Sequence, residues 1–301
     1  MIQCFADSAY QSSFEAGKTP RLLFASKIDS SYSSHPRVLH KHNDSLEILY
    51  VRSGTGVYII EETRYAIKAG DIIICNSGRL HDEDPSCSQD LNTLCISVSD
   101  VHVIGLPQNH LIDAQYSPVF PAGESAEIVG SLMTMIHSML ASDPSGSVET
   151  CQHLTVALLC KLLLVIRKHC AIAGDTVHTR TDIIVEQVKS YINTHFDEPF
   201  TLQDISDSIH VSPYHLSHVF KAQTGYSPMQ YTLRRRLGEA QSLLISTGLT
   251  MTEISVMVGF GNPCHFNTMF SKYIGMSPSK YRSSYVDRKS GEKIPETRKL
   301  L

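Results

Sequence analysis

One stretch of this chain is written twice. Phe220-Lys221-Ala222-Gln223-Thr224-Gly225-Tyr226-Ser227-Pro228-Met229-Gln230-Tyr231 returns as Phe270-Ser271-Lys272-Tyr273-Ile274-Gly275-Met276-Ser277-Pro278-Ser279-Lys280-Tyr281. The shared Phe, Gly, Ser, Pro and Tyr recur at an offset of about fifty positions, the signal of a duplicated structural unit. Upstream, Asp204-Ile205-Ser206 aligns with Glu253-Ile254-Ser255 at an offset one residue shorter. The turn inside the second copy must therefore be one residue longer.

Each copy reads as helix, turn, helix. In the first, Leu202, Ile205 and Ile209 form an apolar stripe at helical spacing. His210-Val211 makes the turn. Ser212 is a good N-cap, and Pro213 suits a first helical position, where its missing N–H costs nothing. The second helix turns Leu216, Val219 and Phe220 inward and stops at Gly225. The other copy matches step for step: Ile254 and Val258, turn Gly259-Phe260-Gly261, cap Asn262, Pro263, inward Phe266, Met269 and Phe270, stop Gly275. Caps, breakers and periodicity agree in both, which is the mark of a specified structure.

A single pair of helices is often only a packing unit. Two pairs joined by one long helix serve a narrower purpose. Ser227 and Pro228 open a connector whose inner face is Tyr231, Leu237, Ala240, Leu243 and Leu244, ending near Thr247-Gly248. It holds two recognition helices at one separation. Duplex DNA rewards a separation of about 34 Å, one helical turn, because both helices then enter successive major grooves. The pattern Ala240-x-x-Leu243-Leu244, Glu253-Ile254-Ser255, Gly259-Phe260, Phe266, Phe270, Gly275-x-Ser277-Pro278-x-x-Tyr281-Arg282 resembles the signature of the AraC/XylS family of bacterial transcription regulators. The resemblance covers roughly the last third of the chain. It implies an all-α C-terminal domain with two helix-turn-helix motifs on promoter DNA, with RNA polymerase as a further partner.

Which side chains would meet DNA follows from the helix faces. Tyr214, Ser217, His218 and Lys221 on the first recognition helix, and Cys264, Asn267, Thr268 and Ser271 on the second, lie off the apolar stripes. Tyr214, Ser217, His218, Cys264, Asn267 and Thr268 are the candidate base readers. Family members often carry arginine where His218 and Thr268 stand. Arginine is the usual reader of guanine, so here adenine pairing by Asn267, thymine-methyl contact by Thr268 and shape readout come forward. Lys221, Arg234, Arg235, Arg236, Lys272, Lys280 and Arg282 are the candidate phosphate contacts. Charge tempers the picture. The net charge is −4, the acid excess lies before residue 182, and bases and acids balance across 182–286. DNA-binding domains are usually basic, so a monomer should bind modestly and need a partner copy.

The 301 residues suggest two domains, and 42% hydrophobic content allows ordinary cores. No apolar run is long enough to span a membrane, and the start of the chain lacks the basic-then-apolar order of a signal peptide. Eight cysteines without a C-x-x-C pair read as free thiols in a reducing cytoplasm.

The first hundred residues alternate as short strands at 21–25, 46–51, 56–61, 64–67, 71–75 and 94–98, with turn signals at Ser53-Gly54, Ala69-Gly70 and Asn76-Ser77-Gly78. This spacing predicts a sandwich or barrel. Within it, His40-Lys41-His42, Glu47, Gly54, Gly70-Asp71 and Gly78-Arg79-Leu80-His81 resemble the two motifs of the cupins, although Asn76 stands where proline is usual and Pro85 where asparagine is usual. The cupin resemblance implies a small barrel in which His40, His42, Glu47 and His81 converge. Three imidazoles and a carboxylate suit a divalent metal. They equally suit a pocket that hydrogen-bonds a small-molecule effector, the use to which AraC-like sensory domains put this pattern. Alternation adds Tyr50 and Tyr58 as candidate pocket residues, subject to register.

Two helices follow. In 123–140, Ile128, Leu132, Met135, Ile136 and Met139 share a face. From Val148 to about Lys168, one seam is Val148, Cys151, Thr155, Leu158, Leu162 and Val165, and a second apolar face is Leu154, Leu159, Leu163 and Ile166. Two faces suggest two partners, the barrel and a second subunit. The expected chain is thus α+β and multidomain: a cupin-like β-barrel with flanking helices for ligand binding and dimerisation (1–170), a linker (171–181), the double helix-turn-helix domain (182–286) and a charged tail expected to be disordered (287–301). Its expected function is sequence-specific transcription regulation, with an activator favoured, in answer to a sugar or another metabolite. No enzymatic activity and no obligate cofactor are expected. A cupin metalloenzyme fused to a DNA-binding domain, and a regulator that senses nothing, are the alternatives.

Overall fold

A computed structural model describes residues 11–28, 38–61, 63–170 and 180–285. The tail 287–301 and most of the linker 171–181 lie outside these residues. The N-terminal half is built on six antiparallel strands: β1 (Arg21–Ile28), β2 (Leu46–Ile60), β3 (Thr63–Lys68), β4 (Asp71–Cys75), β5 (His81–Ser99) and β6 (Val119–Pro121). They run in the order β1-β5-β2-β4-β6, with β3 paired to the far end of β2. The long pairing of β2 with β5 is the spine, from Leu46 opposite Val98 to Ile60 opposite His81.

The expected turn at Ser53-Gly54 is instead a kink inside one strand. Register shifts fall between Val51 and Val57. Gly54 has φ +81° and lies so close to the backbone of Asp90 that no side chain fits there. The bulge changes the parity of the strand. Before it, odd residues Leu49 and Val51 face one core; after it, even residues Tyr58 and Ile60 do. Tyr58 therefore lies on the same side as Glu47. Tyr50 does not: it faces the opposite side and packs against Gly130.

That opposite side carries α1 (Ala126–Ser142) and α2 (Val148–Cys170). Leu46, Ile48, Ile72, Ile74, Leu94, Ile96 and Val98 of the sheet meet Val129, Met133 and Ile136 of α1 and Leu158, Leu159, Leu162 and Leu163 of α2 in one cluster. The inward face of α1 is rotated from the expected one, since Ile128 (49%) and Met135 (44%) stay exposed. On α2, Leu159, Leu163 and Ile166 are buried within this chain, so the face expected to need a second subunit already has a partner. α2 is also long and apolar enough, by length and composition alone, to cross a membrane, contrary to the expectation that no apolar run reaches that length. Packing against the sheet and α1 explains its apolar content.

The C-terminal half is helical: α3 (Arg180–His195), α4 (Leu202–Ile209), α5 (Pro213–Thr224), α6 (Pro228–Ser246), α7 (Met251–Met257), α8 (Pro263–Ile274) and α9 (Pro278–Tyr285). The caps act as the sequence dictates. Thr201 with Asp204, Ser227 with Gln230, and Thr250 with Glu253 close reciprocal capping boxes, while Ser212 and Asn262 cap α5 and α8. Each such cap contributes about 1 kcal/mol. Gly225 and Gly275 end α5 and α8 in the left-handed conformation, at φ +80° and +82°. The connector α6 runs between two small cores, one around Phe220 and Tyr231, the other around Phe270 and Tyr281.

Candidate functional site

The two recognition helices expose what the sequence assigned to them. Tyr214 is 83% exposed. His218, Lys221, Cys264, Asn267, Thr268 and Lys272 are exposed and Ser217 is half-buried, while Leu216, Phe220, Phe266 and Phe270 hold each helix from behind. The Thr268 hydroxyl donates to Cys264 O at 2.9 Å, within its own helix. Tyr214 and His218 meet edge to face at 6.3 Å.

The arginines behave otherwise. Arg234, Arg235 and Arg236 are consecutive on α6, and successive helical residues point about 100° apart. They cannot share one phosphate-facing surface. Arg234 reaches the sheet domain, where its guanidinium pairs with Asp82 through two nitrogens, Nε at 3.2 Å, and covers the Tyr226 ring. Burial outweighs that positive charge and pushes the Asp82 carboxyl up to about 6, still ionised at neutral pH. Arg235 is 2% exposed, lies over Phe196 and bonds Glu239 at 2.8 Å. Arg236 donates to the carbonyls of Phe196 and Glu198 beyond the end of α3. Arg282 likewise donates to Leu244 O and Leu249 O near the end of α6. These four fill structural roles: Arg234 and Arg235 pair with carboxylates, while Arg236 and Arg282 donate to backbone carbonyls at and beyond helix ends, where donors are needed. Of the seven candidates for phosphate, Lys221, Lys272 and Lys280 are the exposed ones.

In the sheet domain, His40, His42, Glu47 and His81 come together, one donor atom from each lying within 4.8 Å of the others. A short antiparallel bridge pairs His40 with His81, His40 N–H donating to His81 O at 3.1 Å and His81 N–H to His40 O at 2.9 Å. Glu47 comes from β2, with Oε1 2.9 Å from His42 Nε2 and Oε2 3.2 Å from His81 Nε2. Burial works to raise the Glu47 pKa, but the bonds from His42 and His81 prevail and hold it well below the usual carboxylate range. The cluster is thus built around a buried carboxylate anion.

The ring tautomers follow from the backbone. His40 Nδ1 lies 3.1 Å from Val38 O and His81 Nδ1 3.0 Å from Arg79 O. A carbonyl only accepts, so each Nδ1 carries a proton and each Nε2 is directed to the centre. Positive charge beside Glu47 then comes either as a second imidazole proton or as a cation shared by the Nε2 lone pairs. Anchoring of Nδ1 on a carbonyl is the usual outer arrangement of metal-binding histidines. Donors on one ion at about 2.1 Å each lie at most about 4.2 Å apart, so a modest inward movement of these side chains would admit one. The residues fit a divalent cation. Tyr58 stacks on His81 at 6.2 Å, and Cys75 Sγ lies 3.9 Å from its hydroxyl. Burial pushes both the Tyr58 phenol and the Cys75 thiol well up, which keeps them neutral neighbours of the carboxylate. Cys75 was not anticipated from the sequence; its register opposite Glu47 in the β2–β4 pairing is what brings it here.

Comparison with known proteins agrees with this architecture at both ends. Residues 33–87 match the cupin domain family and residues 205–284 a helix-turn-helix domain family. The chain is 28% identical over 284 residues to the uncharacterized HTH-type transcriptional regulator YdiP of Escherichia coli K12, covering 94% of this chain and 92% of that protein. It is 26% identical over 279 residues to the HTH-type transcriptional activator RhaS of Citrobacter koseri, covering 89% and 94%. It is 28% identical over 259 residues to the Msm operon regulatory protein of Streptococcus mutans, covering 85% and 89%. With a cupin domain before a duplicated helix-turn-helix unit, and relatives aligned along both, the chain belongs to the AraC/XylS family of transcription regulators.

Proposed function

We propose that this protein recognises promoter DNA through α5 and α8 and is regulated by a small molecule held at the His40/His42/Glu47/His81 cluster. The observation that carries the DNA half is the pair of helices with polar faces outward, fixed on one connector. Base reading falls to Tyr214, Ser217, His218, Cys264, Asn267 and Thr268, and phosphate contact to Lys221, Lys272 and Lys280. The sensor half rests on the buried carboxylate ringed by imidazoles. A metabolite rich in hydroxyl groups suits it, since Glu47 accepts and the histidines donate or accept. A divalent cation is the second reading, favoured by the two Nδ1-anchored histidines. His40, His42, Glu47 and His81 would hold it, and it would supply a fixed positive charge for an anionic or hydroxylated ligand.

The functional division falls at 171–181, with sensing before it and DNA binding after it. Relatives named as regulators support a non-enzymatic role, and those named as activators support activation, with RNA polymerase as the partner. Among the described residues no disulfide joins two cysteines, which accords with a reducing cytoplasm. A homodimer is part of the proposal, because a charge-balanced DNA-binding domain gains from two copies on one site. Exposed Ile128 and Met135 of α1 and Val148 and Leu164 of α2 are among the apolar residues open to that contact.

Selection of bound sequences from a random duplex pool, with the full-length protein at stated salt, tests the reading. Enrichment of paired sites, each spanning two successive major grooves, is the expected result. Failure of both the full chain and residues 180–285 to enrich any sequence would overturn it.

A further inference from the structure

The sensor cluster and the helical half meet at one small piece of backbone. Side chains alternate along extended chain. In the His40–His81 bridge this sends the two histidines to the cluster and their neighbours Leu39 and Leu80 the other way. Leu39 and Leu80 are 3% and 1% exposed, and they belong to the same apolar cluster as Val188, Ile205, Phe220 and Tyr231. Phe220 is the inward anchor of recognition helix α5. The bridge also grips the connector. Val38 N–H donates to Gln241 Oε1 at 2.8 Å, and Gln241 is fully buried. Gly238 lets α6 approach so closely that a Cβ there would overlap Leu39 O. Asp82, next to His81, takes the Arg234 guanidinium.

We propose that this bridge is a transmission element, which makes the His/Glu cluster and the first helix-turn-helix unit with its connector one mechanical unit. Occupancy of the cluster sets the positions of residues 38–42 and 80–82. These in turn set how α5 and α6 are presented to DNA. The inference rests on the reading of the cluster as the ligand site. Linkage makes the coupling reciprocal, so a change made on α6 must be felt at the histidines.

The test uses full-length protein carrying Gly238→Ala or Arg234→Gln, both on the connector, with Gly248→Ala as control. Nothing lies within 4 Å of a Cβ built at Gly248. Two quantities are read: the ring-nitrogen NMR resonances of His40, His42 and His81, and the affinity for Co(II) followed by its visible absorption. The expected result is that Gly238→Ala and Arg234→Gln shift the His40 and His81 resonances. His153 on the far helix α2 stays in place, and Gly248→Ala shifts none of them. Co(II) affinity falls about fivefold or more in the two connector variants, the scale of ordinary coupling between sites. Folded connector variants with unmoved His40 and His81 resonances would overturn the proposal. Arg234→Gln leaves a readable variant if Gly238→Ala does not fold. Absence of Co(II) binding by the unaltered protein would remove the cation reading alone, and the ring resonances would still decide the coupling.

Discussion

The two helix-turn-helix units follow one plan and stand in different surroundings. In both, a threonine capping box opens the first helix, a left-handed residue makes the turn, and a phenylalanine packs edge to face on a tyrosine three positions after the proline that opens the next helix. The ring distances are nearly equal, 5.4 Å for Phe220–Tyr231 and 5.5 Å for Phe270–Tyr281. Around that common frame the first unit shares its core with Leu39 and Leu80 of the sensor half, while the second takes in Val38. The recognition faces differ too: an aromatic ring, an imidazole and a lysine on α5, and on α8 the small neutral Cys264, Asn267 and Thr268 with Lys272 in the last turn. Local rules build both units, and the differences lie in what touches them. The first is placed to report on the sensor. The second is placed to follow through α6.

Removing the shared anchor strains this equivalence most. Phe220→Ala and Phe270→Ala should each cost about 3–5 kcal/mol, measured by equilibrium urea denaturation. Similar losses keep the units equivalent; a loss confined to one would break the comparison. The turns come next. Gly259 has φ +78° and lies close to Phe196 O, so Gly259→Ala should cost at least about 1–2 kcal/mol. His210 occupies the matching place at φ 56° without being glycine. His210→Gly should therefore raise stability by about 0.5–1 kcal/mol, visible as a higher Tm.

Caps sharpen the comparison on a smaller scale. Thr201→Ala and Thr250→Ala should each cost about 1 kcal/mol. The Thr201 and Thr250 backbone N–H groups, then their hydroxyls, hold the Asp204 and Glu253 carboxyls below the usual carboxylate range. Stability from these pairs is present above the unfolded carboxylate pKa of about 4 and is lost as pH falls through the lower folded value. A Tm–pH series should show that acid loss in the unaltered protein and its weakening in both threonine variants. Smallest is the effect of single phosphate contacts. Lys221→Ala and Lys272→Ala should each shallow the salt dependence of DNA binding by about one unit of slope. Arg235→Ala should lower stability instead and leave the slope unchanged, because its guanidinium is inside.

The repeat, the caps and the helix stops were legible in the sequence because each depends on neighbours a few residues away. The slip in offset between Asp204/Glu253 and Phe220/Phe270 was legible for the same reason, and it sits in the longer turn that begins at Gly259. His40, His42, Glu47 and His81 could be singled out by spacing. Other features depend on distant partners. Tyr50 falls outside the site because the parity of β2 changes only later, at a bulge set by Gly54 against Asp90 of another strand. Arg234 turned out to serve Asp82, 152 positions away, and no local pattern announces such a pair. Three adjacent arginines look like one basic patch in a sequence, yet helical rotation sends them to three places.

The central claim is that α5 and α8 read DNA as a pair held by α6. Hydroxyl-radical and guanine-methylation footprints of the full-length protein on a selected site test it most directly. The account predicts two protected major-groove patches on one face of the duplex, one helical turn of about 34 Å apart, with the patch of one unit lost in a variant whose recognition face is replaced by alanine. Protection confined to a single groove, unchanged when the α8 face is replaced, would contradict it.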